Sequence, residues 1–372
     1  MKIETIEMFH LRMPLKSAFE TSFGRSLTRD CILLVLRADG VEGYGECVAD
    51  WDAGYSYETI GTAWHIYKEF IFPILQGATI DHPQEFQKLV AGIRGHRMAK
   101  AGVEMALWDI YGKQKQQSLK ELFGGVRDKV DVGVSVGIQE TPNQLVKTVE
   151  EYLVQGYRRV KLKIKPGRDV EDVKAVRERF PDVRLQVDAN SAYTLETAQA
   201  LLPLDEMNLL LIEQPLDEED LWDHHMLQPL FRTPICLDES IVSVQHARQA
   251  IEMQACRVIN IKAGRVGGLS QGIRIHDLCR AHQIPVWCGG MLETGVGRAS
   301  NLALASLEGF TLPGDISATE RYYDEDITCE RFVLNSDSTI DVPKGWGLGV
   351  SLDRKMVEKY RINHLVGMNF VK

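Results

Sequence analysis

Five charged residues recur at nearly equal intervals through the second half of the chain, each near the end of a short apolar run. They are Lys163 in VKLKI, Asp188 in LQVDAN, Glu213 in LLIEQP, Asp238 in ICLDES and Lys262 in INIKAG. Successive members lie 25, 25, 25 and 24 residues apart. That interval holds one strand, one helix and their connections, so the repeat reads as a βα unit. Apolar runs near 159–164, 184–188, 209–213, 234–238, 257–262 and 285–288 read as strands, with helical patterns between them. Seven units counted from about Val130 suit a closed barrel. An open doubly wound sheet is the alternative, but its glycine fingerprint is poorly matched by GVSVGIQE. In a barrel, all five side chains meet at the C-terminal ends of the strands, where barrel enzymes place their active sites.

Strict alternation along Arg159 to Lys165 turns Val160, Leu162 and Ile164 toward the helices and Lys161 and Lys163 toward the axis. Taken alone, the segment also reads as an edge strand with solvated lysines. Helical patterns on both sides argue that both of its faces are buried, and inward lysines then need partners or a function. Repulsion between the two ammonium groups is expected to lower the pKa of each, as a general base requires. Asp188, Glu213 and Asp238 converge on the same place, which is very unfavourable without counter-charge. A hard divalent cation resolves this, and an oxygen-only set favours Mg2+, or Mn2+, over zinc. The alternative is an ion network pairing three acids with three lysines. With a cation present, the arrangement suits proton removal next to a carboxylate through an enediolate. Lys163 serves one face, and Lys262 protonates the opposite face or stabilises the intermediate by its charge.

The chain divides into an α+β region at 1–125, a barrel at 126–325 and a terminal segment at 326–372. In the first region, 2–12 and 29–37 read as strands, and Ala99–Gln116 has helical spacing. In the first barrel helix, Thr141 is the expected N-cap, Pro142 the first helical residue, Gln144 the partner in a capping box and Gly156 the C-cap. A net charge of −9 argues against nucleic-acid or anionic-membrane partners. No apolar run approaches the roughly 18 residues of a membrane span. Glu4 and Glu7 interrupt what would be a signal core, and the seven cysteines form no CxxC pair. These features together predict a soluble cytoplasmic protein acting on a small-molecule carboxylate.

The barrel motifs, with GYGEC at Gly43–Cys47, NIKAGRVGG, GGMLETGVGR and DVPKGWGLGV at Asp341–Val350, resemble the muconate-lactonizing-enzyme subgroup of the enolase superfamily. The resemblance covers essentially the whole chain. It is strongest to the branch of o-succinylbenzoate synthases that overlap with N-succinylamino acid (N-acylamino acid) racemases. It implies a modified TIM barrel, (β/α)7β, with an α+β capping domain to which the terminal segment returns. It also implies Mg2+ held by Asp188, Glu213 and Asp238, and homo-oligomers as the default. Lys163 would be the base for a syn loss of water in menaquinone biosynthesis, Lys262 would stabilise the intermediate, and in racemisation the two would serve opposite faces. Asn190, Glu239 and Arg265 would support the metal and lysines. Substrate contacts would come from Ser135, Gly290, Met291 and Leu292, and from Phe19 and Phe23 on a loop, Ser17–Ser26, that closes as a lid. Trp51 and Tyr55 would form a second flap. Dipeptide epimerases of the subgroup carry Asp-x-Asp on the eighth strand. Here the place reads Asp315-Ile316-Ser317, so the second acid is missing. Muconate cycloisomerisation, or a non-catalytic barrel, remain the other readings of the same residues.

Overall fold

The computed structural model describes residues 1–367. Residues 3–47 form three antiparallel strands, β1 (Ile3–Glu20), β2 (Arg25–Ala38) and β3 (Val41–Cys47). The run Cys31–Leu36 alternates between two cores. Cys31, Leu33 and Val35 join the core shared with the barrel. Ile32, Leu34 and Leu36 join the core under helices α1 (Ile60–Ile66) and α2 (Arg97–Lys115). Burial on both faces explains why this strand lacks a polar alternate. Helix α3 (Leu119–Phe123) follows, with Ser118 and Glu121 forming a reciprocal capping box.

After β4 (Lys129–Asp131), strands β5 (Val134–Val136), β6 (Arg159–Lys163), β7 (Arg184–Asp188), β8 (Ile212–Glu213), β9 (Ile235–Leu237), β10 (Val258–Ile261) and β11 (Val286–Cys288) follow in turn. Strands β5 to β11 form one parallel sheet in sequence order. The intervening segments include helices α4 (Pro142–Gln155), α5 (Val170–Arg179), α6 (Leu221–Leu227), α7 (Val244–Glu252) and α8 (Leu269–Ala281). After β11 comes α9 (Gly295–Ala305). The seam is closed by an irregular segment at 310–315. Its Asp315 N–H donates to the Cys288 carbonyl at 2.9 Å, and Gly133 N–H donates to the Gly314 carbonyl at 2.8 Å. The chain then returns. Strand β12 (Thr339–Asp341) pairs with β4, and β13 (Arg361–Gly367) pairs with β1.

Two local expectations change. At α4, Thr141 accepts from Gln144 N–H and Gly156 closes the helix at φ 109°, but among the described residues only the Thr141 half of the box forms. Residues 17–26 are not an open loop. Strands β1 and β2 continue through them as a hairpin, with Phe19 opposite Ser26 and Glu20 opposite Arg25. Thr21 N–H bonds the Gly24 carbonyl at the tip, at 2.9 Å.

Candidate active site

The hairpin and the loop after β3 roof a cavity of about 320 Å³ over the C-terminal ends of the strands. Its floor is ionic. Lys161 reaches Asp188 of β7 at 3.0 Å, Glu213 of β8 at 2.9 Å and Asp315 of the seam at 2.6 Å. Lys163 donates to Asp188 and to the Asn190 amide oxygen, each at 2.6 Å. Lys262 lies across the floor on Asp238, just after β9, at 2.7 Å, and Arg265 grips the other oxygen of Asp238. Asp188, Glu213 and Asp238 are completely buried. The regular interval thus brings all five side chains, with Lys161, to one level of the barrel.

The electrostatics correct one expectation. Burial alone would depress the Lys161 pKa, but Asp315, Glu213 and Asp188 together hold it well above the usual lysine value. Burial likewise works against the Lys262 ammonium and is outweighed by Asp238. The lowering expected from repulsion by the neighbouring lysine is therefore not found at Lys161, because three carboxylates surround its ammonium. Burial opposes ionisation of Asp188 and Asp238 too, yet Lys163 with Lys161, and Arg265 with Lys262, keep both well below the ordinary carboxylate range. Glu213 goes the other way. Burial and Asp188 push it well above its ordinary value, because it shares Lys161 with two other acids. Among the described residues its second oxygen accepts only from the neutral Asn260 amide, at 2.8 Å.

That deficit of positive charge bears on a metal. Among the described residues no three His, Cys, Asp or Glu side chains stand arranged to hold an ion, since the lysines occupy the carboxylate oxygens. The donor set nevertheless fits a hard divalent cation. It consists of carboxylates at the ends of three adjacent strands, one of them short of positive charge, and beside them Glu239 has a buried oxygen, Oε2, with no hydrogen-bond partner among the described residues.

Supporting groups fix the floor. Asn190 adopts φ 43° and Gln214 φ 38°, left-handed conformations costing on the order of 1 kcal/mol each in residues with side chains. Both are held. Asn190 N–H bonds Asp188 at 3.0 Å and its amide donates to Glu239 at 2.8 Å. The Gln214 oxygen accepts from Asp238 N–H and Ser240 N–H. Gly289 is required by close approach, because a Cβ there would lie 2.3 Å from the Asn260 amide oxygen and 2.7 Å from the Lys262 side chain.

Phe19, Phe23, Ser135, Gly290, Met291 and Leu292 all line the cavity, as does Tyr55. Phe19 packs edge-on to Tyr322 at 6.4 Å. Trp51 does not reach the cavity. It is 61% exposed and lies against His10 and Arg12, so only Tyr55 of the expected flap faces inward. Tyr55 accepts from Lys262 at 3.0 Å and from Arg265 at 3.1 Å. Two floor residues were missed. Arg159 shares the inward face of β6 with Lys161 and Lys163, so the same alternation could have found it. It is fully buried against Asp315 at 2.7 Å. Asp315 lies on the irregular seam, where no strand periodicity marks its direction.

Residues 3–124 match the mandelate racemase / muconate lactonizing enzyme N-terminal domain, and residues 144–356 match the enolase C-terminal domain-like family. The chain is 50% identical over 359 residues to an o-succinylbenzoate synthase of Geobacillus kaustophilus, covering 96% of each protein. It is 51% identical over 352 residues to an N-succinylamino acid racemase of Amycolatopsis sp, covering 94% of this chain and 95% of that one. A crystal structure of an enolase superfamily member from Listeria innocua superposes with a TM-score of 0.95 at 42% identity, over 99% of both chains. With its capped barrel and its ring of lysines and carboxylates, the chain belongs to the mandelate racemase / muconate lactonizing enzyme family of the enolase superfamily.

Proposed function

We propose that this protein is an o-succinylbenzoate synthase, which removes water from 2-succinyl-6-hydroxy-2,4-cyclohexadiene-1-carboxylate. The observation that carries the reading is the placement of Lys163 and Lys262 on different carboxylates of one floor, beneath a cavity lined by Phe19, Phe23 and Met291. Enzymes of the family depend on a divalent metal. We assign Mg2+, or Mn2+, held by Asp188, Glu213 and Asp238, with Asn190, Glu239 and Arg265 orienting these acids and the lysines. When bound, the cation supplies charge stabilisation for the enediolate that forms as the α-proton leaves.

The chain's own residues do the rest. Lys163 takes the proton next to the carboxylate. Because the elimination is syn, the same lysine lies on the side from which the hydroxyl departs and can return that proton to it. Loss of water leaves the ring aromatic. Lys262 remains an ammonium, consistent with its raised pKa, and its charge steadies the intermediate. Ser135, Gly290 and Leu292 at the rim, with the aromatic roof, hold the substrate and exclude water.

A second reading is favoured by the same two-sided floor. A base on each face is what racemisation of an N-succinylamino acid needs, and the likeness to such racemases is as high as to the synthases. Both reactions begin with one proton abstraction, so one site can perform both. We place the enzyme in the cytoplasm as a homo-oligomer, supported by seven free thiols and by the symmetric assembly usual for such enzymes. Incubation with the cyclohexadiene acid and, separately, with N-succinylamino acids in D2O tests the proposal. Aromatic product from the first is expected. Deuterium exchange into the second without any dehydration would leave only the racemase reading.

A further inference from the structure

We propose that Arg25 receives the distal carboxylate of the succinyl group, and so selects substrates carrying two negative charges. The inference rests on the function proposed above, since both candidate substrates have a succinyl arm. One carboxylate of such a substrate belongs at the floor, beside the proton to be removed. The other must lie toward the mouth, where an unpaired charge at the edge of an aromatic cavity is costly.

The cavity is lined by five cationic side chains, and four are already committed. Lys161, Lys163 and Lys262 are engaged by the floor carboxylates, and Arg29 is paired with Asp50 at 2.8 Å. Arg25 is the fifth. Among the described residues it has no carboxylate within 4.0 Å, although Glu20 is its cross-strand neighbour. Glu20 is engaged elsewhere, by Lys165 at 3.4 Å.

Arg25 is exposed at the mouth of the cavity, on a hairpin docked against the barrel. Ile138 N–H donates to the Glu20 carbonyl at 3.1 Å, and the Ser22 hydroxyl donates to the Asn190 carbonyl at 3.1 Å. At Gly137 a Cβ would stand 2.9 Å from the Glu20 backbone, so the barrel and hairpin meet through bare main chain. An arginine at this place offers a planar pair of N–H groups to an incoming carboxylate. It is also specific in what it ignores, because an N-acetyl amino acid has nothing to offer it.

The test compares wild type with Arg25→Met and Arg25→Lys, each checked for native circular dichroism. Turnover of an N-succinyl amino acid and of the N-acetyl derivative of the same amino acid is measured. In Arg25→Met, KM for the succinyl substrate should rise about tenfold or more with kcat little changed, while the acetyl substrate shifts less than about twofold. Arg25→Lys should recover part of the loss. In parallel, calorimetry compares binding of o-succinylbenzoate with that of its ester lacking the distal charge. Wild type should prefer the diacid by about tenfold, and Arg25→Met should bind both alike. Equal losses on succinyl and acetyl substrates, or a diacid preference that survives in Arg25→Met, would overturn the proposal. Absence of succinyl turnover by wild type would count against the proposed function alone, and the binding comparison would still decide the role of Arg25.

Discussion

Glu46, in the GYGEC motif on β3, ties the cap to the barrel through a carboxylate buried at 1% exposure. It accepts from the Thr294 hydroxyl at 2.6 Å and from Gly297 N–H at 2.9 Å, at the N-terminus of α9. Burial first, and then the nearby Glu293 carboxylate, push its pKa from 4.5 to about 7, against the pull of the Thr294 bonds and Arg29. A carboxyl whose folded pKa is raised favours folding most when protonated. That advantage is complete below the unfolded value near 4.5 and is lost as pH rises through about 7. The gap corresponds to about 3 kcal/mol. Glu46→Gln keeps an acceptor for the helix terminus and cannot ionise. Urea unfolding of wild type and variant at pH 5 and pH 8 isolates the contribution, because the other buried acids are common to both. Between the two pH values wild type should lose about 2–3 kcal/mol more than Glu46→Gln, the rest of the gap being already lost by pH 5. Parallel stability profiles would refute the reasoning, and would mean that Glu46 remains ionised against α9 at both pH values.

Lys163→Ala should reduce both dehydration and α-proton exchange by at least about a thousandfold while circular dichroism stays native, and substantial activity in that variant would remove the assigned role. Asp238→Asn should weaken divalent-cation binding in calorimetry by at least about tenfold and also lower stability, since it deprives the buried Lys262 and Arg265 of their shared carboxylate. Chelation of wild type should abolish turnover, with Mg2+ restoring it. Gly289→Ala should cost about 1–3 kcal/mol in thermal unfolding, because its methyl group must displace Asn260 or Lys262. A neutral result there would show that the floor yields more easily than its packing implies.

The site's plan was legible in the sequence wherever it rode on regular strands. Lys163, Asp188, Glu213, Asp238 and Lys262 announced themselves because each ends a strand or directly follows one, and the barrel repeats its unit with little insertion. What the pattern left out lies where periodicity stops. Asp315 sits on a seam built from isolated bridges, and Trp51, expected beside Tyr55 in the flap, sits on a loop whose direction no repeat encodes. The hairpin of Phe19 and Phe23 looked like a loop because it lacks a strong turn signal, and its pairing shifts register between Pro14 and Phe19. The Lys161 pKa misled for another reason. Two like charges on one strand are visible in sequence, whereas the carboxylates that raise Lys161 come from other strands and from the seam.

The pairing of Ile6 with Gly367 has a consequence for how the molecule is made. During synthesis the cap's first strand precedes the barrel, and its outer edge stays open until the strand at 361–367 has been made. An unpaired edge of that kind invites association with other chains. The partner it waits for arrives only after the barrel that separates them in sequence. Completion of the first sheet therefore depends on a strand that lies beyond the barrel in sequence, which couples the cap to the far end of the fold.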